Sequence, residues 1–191
     1  MLENKKAELL NSKAEREESK AGEVVAALRL KKGMRVADIG CGGGHFSLLF
    51  SKAVGSTGKV YMADTSPKML DYATSLAREK GAKNAIAVLA EEHDPRLPQK
   101  ADIIFIRSAC HHMENRTEYF RTLARYLSPG GRVALIDYRK GGFFAFRWLK
   151  GHYVEESIIK KEMEEAGFGL DESFDFIARQ WFMVFAPLKS R

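Results

Sequence analysis

The sequence predicts an α/β fold built on a mostly parallel sheet, and three observations carry that expectation. Short β-rich runs alternate with helical patterns from residue 35 to residue 166, as strands joined by crossover helices do. A glycine-rich loop follows the first of those strands and opens the first of those helices. The last two β-rich runs are joined only by Ile177-Ala178-Arg179-Gln180, and so short a link fits an antiparallel hairpin, because a parallel crossover takes a dozen residues or more.

A chain of 191 residues fits one compact domain with a sizeable core. Hydrophobic residues at 45% and charged residues at 29% exclude disordered and collagen-like classes. Cys41 and Cys110 are too few for a disulfide scaffold and have no neighbours at zinc-ligand spacing, so no metal is expected. The start, Met1-Leu2-Glu3-Asn4-Lys5-Lys6, has no apolar h-region, and the longest apolar run, Trp181 to Ala186, falls far short of the roughly 20 residues of a membrane span. A soluble, cytoplasmic protein is predicted. The net charge of +6 attracts nucleic acid or an anionic membrane face without specifying either.

Residues 3–20 interleave Glu with Lys and Arg and read as a solvated helical arm, with the domain proper at 21–191. Glu23 to Leu30 forms a short amphipathic helix stopped by Lys31-Lys32-Gly33. Strands are expected at Arg35–Ile39, Lys59–Ala63, Asn84–Leu89, Asp102–Arg107 and Gly131–Asp137. The helices between them are expected at His45–Ala53, Pro67–Lys80 and Arg116–Leu127. Ser66 suits an N-cap with Pro67 at the first helical position, while Ser128-Pro129-Gly130-Gly131 reads as a stop and tight turn. A helix from Val154 to Ala166 precedes the hairpin of Leu170–Phe176 and Trp181–Ala186.

The loop Asp38-Ile39-Gly40-Cys41-Gly42-Gly43-Gly44-His45 is the most informative stretch. A dinucleotide fingerprint starting at Gly40 requires a small residue at position 45, where His45 stands. A P-loop is excluded as well, because the one Gly-Lys pair, Gly58-Lys59, is followed by Val60. The remaining pattern, D-x-G-x-G-x-G, sets the Asp38 carboxylate beside the loop, poorly for a pyrophosphate but well for a ligand with an ammonium group. Asp64 ends the second strand 20 residues after Gly44, where a carboxylate accepts both hydroxyls of a ribose. Read alone, Asp64 equally suits a turn acid before Ser66-Pro67.

With these residues and with Leu127-Ser128-Pro129-Gly130-Gly131-Arg132-Val133, the chain from about Ala21 onward resembles the class I S-adenosylmethionine-dependent methyltransferases. The resemblance implies a three-layer sandwich on a seven-stranded sheet of order 3-2-1-4-5-7-6, last strand antiparallel. It implies S-adenosylmethionine as cofactor and S-adenosylhomocysteine as product. It also implies that Gly40, Cys41 and Gly42 line the methionine portion, with Asp64 at the ribose and Thr65 and Met69 beside the adenine. Glu91, or alternatively Glu92, would meet the adenine amino group, and the carbonyls of Arg107 and Ser108 would face the methionine end.

A sulfonium is already activated, so such an enzyme chiefly aligns an acceptor with the methyl group and excludes water. A base is needed only where the acceptor must lose a proton, and His111 or His112, at the end of the fourth strand, is the candidate; either also suits a packing role. Arg107-Ser108-Ala109-Cys110 stands where relatives that methylate nucleobase amines carry N/D-P-P-Y/F, which argues against nucleic acid as acceptor. Residues 138–153 are dense in aromatic and basic residues. Phe143, Phe144, Phe146 and Trp148, with Arg139 or Lys140, suit a small aromatic or lipophilic acceptor; the same aromatics suit a core, a homodimer face or peripheral contact with a membrane. The tail from Ala166 to Phe185 is similar to methyltransferases of ubiquinone and menaquinone biosynthesis, although this chain lacks much of their insertion after the fifth strand. Two alternatives stay open: an RNA- or partner-binding module on this fold, and a metalloid methyltransferase using Cys41 and Cys110.

Overall fold

The computed structural model describes residues 2–139 and 153–188. Strands β1 (Arg35–Ile39), β2 (Lys59–Asp64), β3 (Ala85–Leu89), β4 (Ala101–Arg107), β5 (Leu127–Tyr138), β6 (Phe168–Phe174) and β7 (Gln180–Pro187) form one sheet. Its order is β3-β2-β1-β4-β5-β7-β6, and β7 runs antiparallel to both neighbours. The order and the reversed last strand are those the resemblance implies.

Among the described residues, six α-helices accompany the strands: α1 (Leu2–Glu15), α2 (Ala21–Ala27), α3 (His45–Val54), α4 (Pro67–Glu79), α5 (Arg116–Leu123) and α6 (Glu156–Glu165). Strand alternation sorts the core into layers. Val36, Val60, Ile103, Phe105, Ile136 and Phe182 face one side and pack with Val24 of α2, with Leu28 that caps it, and with Phe46 and Phe50 of α3. Their sequence neighbours Ala37, Tyr61, Ile104, Leu135 and Trp181 face the other side, against Phe120 of α5 and Ile159 and Met163 of α6. Met62 packs with Leu70, Ala73 and Ala77 of α4. Pro67 opens α4, and the Ser66 hydroxyl accepts from the Met69 amide, as its N-cap role requires.

Several expectations are corrected. The stretch Ser128-Pro129-Gly130-Gly131 lies inside β5 as a bulge: Ala101 pairs with Leu127, whereas Ile103 pairs with Arg132. A Cβ on Gly131 would stand 2.9 Å from the Ser128 carbonyl oxygen and 3.0 Å from that of Ala101, so the bulge depends on the missing side chain. The helix expected to reach Leu127 is α-helical only to Leu123 and tightens to a 3-10 turn over Ala124–Tyr126. The final hairpin begins two residues earlier than the alternation suggested, at Phe168. The N-terminal segment is helical over Leu2–Glu15, with a 3-10 turn at Glu17–Ser19, but it is not a solvated arm: Ala7 is fully buried and Asn11 is 8% exposed, because α1 packs on α3 and α4 beside the glycine loop.

Candidate active site

β1 ends in the glycine loop and α3 begins at its far side, so the α3 amide groups face the carboxyl end of the sheet. Asp38 lies on the face that α3 covers and is 3% exposed, with one carboxylate oxygen accepting from the Ser47 hydroxyl at 2.5 Å. Burial pushes its carboxyl up to about 7. Asp64, at the tip of β2, accepts from the Gly42 amide at 3.0 Å through one oxygen and from the Ser66 amide at 2.9 Å through the other. The structure thus joins the two sequence signals across two strands.

A cavity of about 170 Å³ opens over this loop. Asp38, Gly40, Cys41, Gly42, Arg107 and Ser108 line it, and so do Phe46, Phe105 and Tyr138. Its roof is α1, through Leu10, Asn11, Lys13 and Ala14. Asn11 donates to the Gly43 carbonyl at 2.9 Å and accepts from the His45 amide at 3.2 Å. A Cβ on Gly43 would lie 2.7 Å from the Ala7 carbonyl oxygen, so this close approach of helix to loop requires glycine. A larger cavity, about 830 Å³, runs between α3 and the loops entering β2 and β3 and is lined by Lys52, Lys59, Lys80 and Lys83. Neither the Asp38 nor the Asp64 carboxylate reaches it.

Arg107 lies beyond Asp38 on the same face. Its guanidinium carbon sits 4.7 Å over the Phe46 ring, and its Nη2 donates to Gln180 Oε1 at 2.7 Å. Gln180, 4% exposed, donates in turn to the Ser108 hydroxyl at 2.9 Å. Burial lowers the guanidinium to about 10. Gln180 carries no signal in the sequence, which puts it in the hairpin link; the structure makes it the first residue of β7.

The two histidines part company. His111 turns to the opposite face of the sheet, where its Nδ1 lies 2.9 Å from Asp137 Oδ1; the two side chains are 4% and 0% exposed. The His111 amide also donates to Asp137 at 3.2 Å. His112 is exposed, its ring 4.1 Å from that of His111. Neither ring lines the cavity. Asp137 is legible only in hindsight, as a carboxylate ending a parallel strand in the manner of Asp64.

Other expected site residues stand apart from the cavity. Met69 is buried at the start of α4, and Thr65 is exposed beside Asp64. Glu91 is exposed and paired with Arg96 at 2.5 Å, and Glu92 is exposed as well, so the structure directs neither carboxylate into the cavity. Cys41 packs with the α4 layer, while Cys110 is fully buried in the opposite one, and burial holds both thiols up in their protonated form. A shared thiolate site for a metalloid does not form. Arg139 pairs with Glu156 at 3.3 Å; Lys140, Phe143, Phe144, Phe146 and Trp148 lie outside the described residues.

Loop, strand-end acid and sheet order together define a methyltransferase fold. The family model for a methyltransferase domain matches residues 30–182, and the chain belongs to that family, of the class I, S-adenosylmethionine-dependent type. Among curated relatives, the ubiquinone/menaquinone biosynthesis C-methyltransferase UbiE of Azotobacter vinelandii is 31% identical over 170 residues, covering 73% of this chain and 67% of that protein. UbiE of Haemophilus ducreyi is 29% identical over 73% of this chain. The chain spans 66% of the length of that relative. A SAM-dependent methyltransferase from Aquifex aeolicus superposes with a TM-score of 0.83 at 25% identity, covering 95% of this chain and 97% of the other.

The residues present fit S-adenosylmethionine. The Asp64 carboxylate suits the ribose, the loop leaves backbone where a Cβ would intrude, and Asp38 supplies negative charge for the ammonium. No helix among the described residues is long and apolar enough to cross a membrane.

Proposed function

We propose that the chain transfers a methyl group from S-adenosylmethionine to a small aromatic or lipophilic acceptor. The observation that carries this reading is the composition of the cavity wall. Asp38 and the glycine loop line it together with Phe46, Phe105 and Tyr138, and the Arg107 guanidinium lies over the Phe46 ring. The naming of UbiE as a C-methyltransferase of quinone biosynthesis supports an aromatic acceptor, and a quinol is one member of that class.

The donor brings an activated methyl group, and the protein supplies alignment and exclusion of water. Asp64, outside the cavity lining but bonded to the Gly42 amide beside it, holds the ribose, Asp38 balances the ammonium, and the Phe46 and Phe105 rings present an apolar wall to the acceptor. Where the acceptor must lose a proton, His112 is the exposed imidazole at the end of β4, while Asp137 ties His111 and the loop that bears both rings.

Calorimetric titration with S-adenosylmethionine and S-adenosylhomocysteine, with NADH as control, tests the donor. Turnover is then followed as S-adenosylhomocysteine released with a panel of phenols, quinols and thiols. Binding of both sulfur ligands and turnover with a phenol or quinol are expected. Binding of neither ligand would overturn the reading in favour of a binding module.

A further inference from the structure

Arg107 is the one strongly basic group built into the cavity wall from the sheet itself, and its hydrogen bonding is incomplete. Nη2 is taken by Gln180, yet Nη1 is buried and has no partner among the described residues. No carboxylate among the described residues forms an ion pair with it. Asp38 acts on it only through space, its carboxylate being engaged by Ser47. A guanidinium keeps its charge, and a buried donor on a charged group left unpaired is costly. Gln180, itself held by Ser108, and the Phe46 face beneath lock the guanidinium in place rather than letting it swing to solvent. Such an arrangement is stable in function when an anionic oxygen completes it.

We infer that the Arg107 guanidinium receives an anionic oxygen, phenolate or carboxylate, of the methyl acceptor. This rests on the donor reading above. The two charges that the sheet brings to the cavity then divide the ligands: Asp38 faces the cationic donor and Arg107 the anionic acceptor. An acceptor oxygen held against the guanidinium stays deprotonated, which keeps a phenolic ring electron-rich toward the methyl group. The same guanidinium chemistry would also suit the carboxylate of the donor's methionine end, and the test separates the two.

The probes are benzoate and its neutral isostere benzamide, titrated into protein saturated with S-adenosylhomocysteine. Wild type should bind benzoate at least about tenfold more tightly than benzamide, Arg107→Lys should keep part of that preference, and Arg107→Gln should lose it. Affinities of Arg107→Gln for S-adenosylhomocysteine and for 5′-methylthioadenosine, which lacks the carboxylate, should match wild type. Equal binding of benzoate and benzamide to wild type, or binding of neither, overturns the inference without needing any variant to fold. A loss confined to S-adenosylhomocysteine and absent for 5′-methylthioadenosine overturns it in favour of the donor carboxylate. Failure of wild type to bind S-adenosylhomocysteine at all overturns the donor reading and this one with it, whereas donor binding without anion preference overturns this one alone.

Discussion

Asn11 clasps the glycine loop from above: its Nδ2 donates to the Gly43 carbonyl at 2.9 Å while its Oδ1 accepts from the His45 amide at 3.2 Å. One buried side chain of α1 thereby satisfies two backbone groups at the mouth of the site. The cavity over the loop measures about 170 Å³, below the roughly 300–1,000 Å³ of ligand pockets, and α1 is the element that bounds it from above. Asn11→Ala should lower stability by about 1–2 kcal/mol, through two lost hydrogen bonds, and speed association of S-adenosylhomocysteine. Chemical denaturation and stopped-flow fluorescence measure the two effects. Unchanged association would place the barrier to entry elsewhere.

Donor affinity should depend on pH through Asp38. Its carboxyl, raised by burial from 3.8 to about 7, is half protonated near neutrality, and a cationic ligand favours the ionised form. Affinity for S-adenosylmethionine should therefore rise with pH through about 7, by up to about tenfold per unit below it, with a proton released on binding. Without ligand the sign is opposite. The folded state holds the proton more tightly than the unfolded chain, so stability falls as pH rises from 3.8 to about 7. Asp38→Asn should flatten both profiles; calorimetry in buffers of different ionisation enthalpy and pH-dependent melts test it.

Asp64→Ala should weaken binding of S-adenosylhomocysteine by roughly 1–3 kcal/mol, since ribose hydroxyls and the Gly42 amide both lose their acceptor. An affinity equal to wild type would remove Asp64 from the site.

His111 and His112 should respond differently to the same substitution. His111→Ala leaves a fully buried Asp137 without its imidazole and should cost roughly 3–5 kcal/mol of stability, read in denaturant titration. His112→Ala, at an exposed position, should leave stability and donor affinity near wild type and lower turnover with an acceptor that must lose a proton. Normal turnover in that variant would exclude His112 as base.

Short-range chemistry made much of this protein legible from its residues. Pro67 after Ser66 and the antiparallel hairpin on a short link act within a few positions, and the structure keeps both, with the link itself shifted to residues 175–179. The glycine loop and Asp64 were legible too, because the turn and the strand end each demand particular residue types. Ser128-Pro129-Gly130-Gly131 shows the limit: the same residues suit a turn or a bulge, and pairing with β4 selects the bulge.

The sequence by itself determined the element order, the glycine loop and the acid at the end of β2, since these follow from local backbone preference and hydrophobic period. Only the tertiary structure decided what closes and divides the site. Asn11 and Gly43 are 32 residues apart, Arg107 and Gln180 are 73 apart, and His111 and Asp137 are 26 apart. Strand order sets which of these strand ends are neighbours, and the alternation along β4 and β5 sets which face each side chain takes. That is why Arg107 joins Asp38 over α3 while Asp137 draws His111 to the other side of the sheet.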